Sequence, residues 1–158
     1  MRKLLTSFLF VALMFSAAAA RAGWVIEGSV GKGYRVDEPR GWEPTNVMLA
    51  PGYQFLGILR AQLGLVGNLG DVQNSKFDLE LRPMIGIYPP ILPLYARAIF
   101  SVQNLLHDHK QFAVGPAVGI KIGLPFIGLG FFAEGAVLPR FDPGATIVEG
   151  RAGGFWAF

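Results

Sequence analysis

The only two histidines, His107 and His109, flank Asp108 in the stretch LLHDHK. Alternate histidines in an extended segment project to the same side, and such a pair ligates zinc or copper when further His, Cys or carboxylate ligands converge on it. With no cysteine and no second histidine pair in the chain, the expected reading is a solvated loop tip, and neither a metal nor a cofactor is expected. A hydrolase needs a nucleophile beside a base. Ser101 lies six residues before His107, on an inward strand face and not in the loop, which separates the two. Glu134 and Glu149 can be drawn as a general acid and base, but Arg151 so close to Glu149 favours a structural ion pair. The glycine-rich GSVGKGY at 28–34 fails as a phosphate loop, because its glycine–lysine order is wrong and no helix follows. No catalytic residue is expected.

The 158 residues are 52% apolar and 16% charged, with 14 bases and 11 acids. Arg2, Lys3 and Arg21 lie in the first 22 residues, where there is no acid, so the remainder holds 11 of each sign. That balance removes the charge argument for a nucleic-acid partner or a polybasic membrane patch. Residues 1–22 combine a basic start, an apolar stretch from Leu4 to Phe15 and a small-residue tail ending Ala-Arg-Ala. Those are the three parts of a signal peptide, expected to be cleaved after Ala22 or Ala20. The domain organisation expected is therefore a signal peptide at 1–22 and a single domain at 23–158.

Beyond residue 22 the period is two. In LRAQLGLV, Leu59, Ala61, Leu63 and Leu65 oppose Arg60, Gln62 and Gly64; LYARAIFSVQ sets Leu94, Ala96, Ala98 and Phe100 against Tyr95, Arg97 and Ile99. Alternation of this kind marks β-strands with one apolar face. It predicts eight strands, at about 24–35, 46–55, 58–67, 76–88, 92–103, 111–123, 127–138 and 146–158. Lengths of roughly 10–13 residues suit tilted strands crossing a bilayer. Short connections at 56–57, 89–91 and 124–126 alternate with longer ones at 36–45, 68–75, 104–110 and 139–145, as a transmembrane barrel with both termini on the periplasmic side requires. The fold class predicted is all-β, a closed antiparallel eight-stranded transmembrane barrel.

The polar face of these strands carries Glu27, Asp78, Glu80, Glu134 and Glu149 against Arg60, Arg82, Arg97, Lys121 and Arg151. A membrane barrel puts lipid outside and charge within, and eight strands enclose a lumen that side chains just fill. The five acids and five bases are accordingly expected to pair as a structural network, with Tyr95, in a closed lumen. Inward glycines, among them Gly31, Gly64, Gly86, Gly119 and Gly130, make room for the large side chains. Aromatic residues near strand ends form two expected girdles: Trp24, Phe55, Tyr88, Phe126, Trp156 and Phe158 on the inner rim, and Tyr34, Trp42, Phe77 and Phe112 on the outer. Pro51, Pro83 and Pro116 fall on the lipid face, where a lost ladder bond predicts bulges.

The last segment, GRAGGFWAF, places Phe158, Trp156, Ala152 and Val148 on one face. It resembles the terminal signal of bacterial outer-membrane proteins, with glycine at Gly150 and Gly154 where larger apolar residues are usual. The pattern over 24–158 is similar in architecture to the small eight-stranded outer-membrane barrels typified by the membrane domain of outer-membrane protein A. That resemblance implies Gram-negative outer-membrane residence and recognition of Trp156 and Phe158 by the barrel-assembly machinery. The likeness is architectural and does not imply a function; the role expected is structural or surface interaction in the membrane, without enzymatic activity. The alternatives are a lipid-modifying enzyme acting at the outer rim and a narrow channel. Lys32, Arg35 and Arg40 are placed to meet lipopolysaccharide phosphates, which need only exposed cations at headgroup level. A monomer is expected.

Overall fold

The computed structural model describes residues 23–70, 77–90, 92–124, 127–141 and 144–158; the expected signal peptide at 1–22 lies outside them. Eight strands follow in order: β1 (Gly23–Arg35), β2 (Gly41–Phe55), β3 (Leu59–Leu69), β4 (Asp78–Ile87), β5 (Leu94–Gln103), β6 (Gln111–Gly123), β7 (Leu129–Phe141) and β8 (Gly144–Ala157). Each pairs antiparallel with its sequence neighbours, and β8 closes on β1. Closure leaves no open sheet edge, the condition for placing strands in hydrocarbon. At the seam, Trp24 N–H donates to Phe158 O at 3.0 Å and Phe158 N–H to Trp24 O at 2.9 Å. Both termini of the barrel therefore lie at one end, called the terminal end below, and the opposite one is the far end.

The alternation in sequence is the alternation in space. In β1, Val25, Glu27, Ser29 and Gly31 are buried while Trp24, Ile26, Gly28 and Val30 are exposed. Large apolar residues face outward around the whole circumference, including Leu49, Leu65, Ile85, Val118, Phe131 and Val148. A continuous apolar wall around a buried charged interior inverts the arrangement of a water-soluble domain, and only lipid covers it.

The connections hold two departures from the expected boundaries. β2 starts at Gly41, so the connection expected at 36–45 shrinks to 36–40. Glu43 and Pro44 face Gly33 without register partners there, between Lys32↔Thr45 and Tyr34↔Trp42. Two residues opposite one is a bulge, which lets β2 continue past a proline that reads as a breaker. β7 and β8 likewise run on through Pro139↔Thr146 to Phe141↔Gly144, where the sequence suggests a loop at 139–145. The β2–β3 turn falls where expected: Leu56 and Gly57 have φ of 53° and 69°, and Ile58 N–H donates to Phe55 O at 3.3 Å. Positive φ at both central residues belongs to the type I′ hairpin, whose twist matches the flanking strands.

Bulges do not form at Pro51, Pro83 or Pro116. Each proline keeps its register partner on one side, Ile26, Leu63 and Ala98 respectively. On the other side the ladder lapses without a register shift, in β2–β3 between Leu49↔Leu65 and Gly52↔Gln62, in β4–β5 between Leu81↔Val102 and Met84↔Ile99. The β6–β7 ladder lapses from Ala113↔Arg140 to Ala117↔Ala136. The missing donor costs pairing toward one neighbour only, and the closed barrel holds the register across the gap.

Candidate functional site

The inward face is a polar interior built from all eight strands. Glu27, Glu80, Glu134 and Glu149 and Arg60, Arg82, Arg97 and Arg151 are all buried. Inward glycines provide the volume: a Cβ on Gly64 would lie 3.3 Å from Arg82 Cβ, one on Gly86 2.6 Å from Arg97 Cβ, and one on Gly119 2.6 Å from Tyr95 Oη. The long side chains therefore lie across their neighbours' missing ones.

Two clusters result. Toward the terminal end, Arg97 bridges β1 and β7: Nη1 donates to Glu27 Oε2 at 3.0 Å and Nη2 to Glu134 Oε1 at 2.8 Å. Arg60 donates to the other oxygen of Glu27 at 2.7 Å and to Gln54 Oε1 at 2.9 Å, and its guanidinium sits 4.0 Å above the Tyr88 ring. Tyr88 stacks on Tyr95 at 4.7 Å, and Phe132 packs edge-on against Tyr95. Tyr88 thus fills the lumen, with 2% exposure, and is not part of the inner girdle expected for it. Its outward neighbours, Ile87 and Leu94, take the lipid face instead.

Nearer the far end, Arg82 forks onto Glu149, with Nη1–Oε1 2.7 Å and Nη2–Oε2 2.8 Å, and pairs with Glu80 on its own strand. Arg151 donates to Glu149 Oε1, to Ser29 Oγ at 3.0 Å and to Asn46 Oδ1 at 2.8 Å. Planar guanidinium forks suit this task, because one cation satisfies carboxylates on two strands. The remaining inward positions, including Met48, Val66, Met84, Ile99 and Leu138, form a buried apolar set.

The pairing is four acids with four bases, not five with five. Asp78 lies at the far mouth, where Oδ1 accepts Leu106 N–H at 3.4 Å and lies 3.3 Å from His107 Nδ1. Lys121 lies toward the terminal mouth, with Nζ 5.3 Å from the Tyr88 ring. Asp78 and Lys121 sit toward opposite mouths, so equal numbers did not make a fifth pair.

A further pair of bridges was not legible in the sequence. Glu43 accepts from Arg35 at 3.0 Å and from Arg140 at 3.4 Å at the far mouth, and Glu43 and Arg140 come from segments that read as loops. Arg35 is engaged there, whereas Lys32 points outward with Nζ 5.3 Å from the Trp42 ring and Arg40 is exposed. Within that mouth is a cavity of about 110 Å³, floored by Glu80, Arg82 and Glu149.

The residues weighed for catalysis are not brought together. Ser101, fully buried, donates to Glu80 Oε1 at 2.6 Å, while the His107 ring is on Asp78. Glu134 and Glu149 belong to different clusters. Among the described residues, no group of three or more His, Cys, Asp or Glu is placed to hold a metal ion.

Aromatic residues mark both ends of the outer wall. Trp24 packs on Tyr53 and Trp156 on Phe158 at the terminal end, Tyr34 on Trp42 and Phe100 on Phe112 toward the far end. Phe126 lies outside the described residues.

No family model matches the sequence, and no curated protein matches it. Among solved structures, Neisserial surface protein A is similar, with a TM-score of 0.61 over 86% of this chain and 97% of that one, at 12% sequence identity. At that identity the likeness carries the fold and not an activity. The chain has the closed eight-stranded architecture of the small outer-membrane β-barrels.

Proposed function

We propose that this membrane β-barrel is an integral outer-membrane protein of a Gram-negative bacterium, exported by a signal peptide at 1–22, with a lumen closed to solutes and a structural or surface-interaction role. The observation that carries it is the Arg82–Glu149 clamp at 2.7 Å and 2.8 Å, with both side chains at most 4% exposed. Arg97 bridging Glu27 and Glu134 adds a second barrier toward the terminal end. Opening a path means separating buried charges, which costs several kcal/mol per uncompensated ion. Termini at one end agree with a periplasmic terminal end and an extracellular far end.

In this orientation Lys32 and Arg40 are the cations at outer headgroup level, and lipopolysaccharide phosphates are their proposed partners. Trp156 and Phe158, exposed at the end of the last strand, are the proposed contact for the assembly machinery. No catalysis is part of this reading: the Glu80 carboxylate that Ser101 donates to is itself paired with Arg82 in the buried lumen, and the His107 ring is on Asp78.

Planar-bilayer recording tests the closed lumen. The expected result is no steady conductance; steady openings on the order of a nanosiemens, as in wide water-filled barrels, would instead establish a channel.

A further inference from the structure

The far-end cavity of about 110 Å³ is bipolar. Its floor is neutral, since Glu80 and Glu149 are matched by Arg82 and Arg151. One side carries the Arg140 guanidinium of β7, which shares the Glu43 carboxylate with Arg35 of β1, a residue behind the lining. The other wall is negative: among the described residues, Asp78 on β4 has only the His107 ring and the Leu106 amide against it, both on Oδ1. Its strand neighbour across β3 is the neutral Asn68.

Each wall also holds one buried polar atom without a partner among the described residues, Asp78 Oδ2 on the negative side and Arg140 Nε on the positive. Asp78 is 9% exposed and the Arg140 side chain 10%. A desolvated donor or acceptor left unmade is costly; the other four such atoms among the described residues belong to Arg60, Gln62, Arg97 and Glu134 in the terminal-end cluster. Asp78 and Arg140 both line the cavity. One lacks a donor and the other an acceptor.

We propose that the far mouth binds a small zwitterion, a molecule bearing one ammonium and one carboxylate, of the size of a small α-amino acid. The ammonium donates to Asp78 Oδ2 and the carboxylate accepts from Arg140 Nε–H. Size agrees: cavities of about 150 Å³ take a six-carbon ring, so this one takes roughly four or five heavy atoms. A lone cation would leave the guanidinium unmatched, and a lone anion would leave the carboxylate unmatched. A zwitterion satisfies both without adding net charge to a mouth whose charges already balance.

The test uses the folded barrel in detergent micelles, titrated by calorimetry at constant ionic strength with glycine and with its two halves, methylammonium and acetate. Glycine is expected to bind saturably, and each half at least about tenfold more weakly, the loss of one charge-assisted contact. Asp78→Asn and Arg140→Gln should each weaken glycine by a similar factor. No saturable glycine binding, equal affinity for either half, or a folded variant of either kind that binds glycine as the parent does would overturn the proposal. The comparison of glycine with its halves uses the unaltered protein, so it decides even if a variant does not fold.

Discussion

Arg82 on β4 and Glu149 on β8 stand on diametrically opposite strands of the eight, and their side chains meet in a two-bonded clamp of 2.7 Å and 2.8 Å across the lumen. Glu149 also carries Arg151, so one carboxylate balances two guanidiniums with help from Glu80. Removing its charge leaves a buried cation in surplus. Glu149→Gln should destabilise the barrel refolded in detergent by about 3–5 kcal/mol, as breaking a buried pair does. Replacing the whole cross-lumen pair, as in Arg82→Met with Glu149→Gln, should recover part of that loss. Urea unfolding midpoints measure both; a single variant as stable as the parent would show that the clamp is solvated.

The glycine at 119 offers a test of packing inside the wall. Any Cβ there meets the Tyr95 hydroxyl oxygen at 2.6 Å and the carbonyl oxygen of Ala133 at 2.7 Å. Gly119→Val should cost on the order of 1–3 kcal/mol, the range for overpacking. Adding Tyr95→Ala should restore only part of it, because the Ala133 backbone cannot withdraw as a ring can. Full restoration in unfolding experiments would mean that the ring alone set the cost.

Strand order, closure and the inward charges were legible because one period-two signal carries all three. Arg60, Arg82, Arg97 and Arg151 alternate with lipid-facing residues, and parity alone sends them inward. What escaped notice had its cause in height along the barrel, which parity does not encode. Lys121 and Asp78 have the right parity but lie toward opposite mouths, and Tyr88 has inward parity at a position that resembles a girdle. Glu43 and Arg140 fall within 36–45 and 139–145, read as connections, although the closed barrel carries its strands past Pro44 and Pro139 by a bulge or a one-sided lapse in the ladder.

At the end of β8, Trp156 and the following Phe158 are exposed and pack on each other at 4.9 Å. Burying a phenylalanine in lipid contributes about 1.5–3 kcal/mol, whereas loss of the proposed recognition by the assembly machinery would stop insertion altogether. Phe158→Ala should therefore reduce insertion in cells far more than it lowers stability after refolding in detergent. Equal losses in the two assays would point to packing alone.

The central claim, an integral outer-membrane barrel, is tested most directly by electrophoretic mobility of the protein from isolated outer membranes, with and without heating. A closed barrel resists detergent and migrates compactly until heat unfolds it. The predicted result is recovery in the outer-membrane fraction with a shift in mobility on heating; a soluble periplasmic protein, or a mobility unchanged by heat, would contradict it.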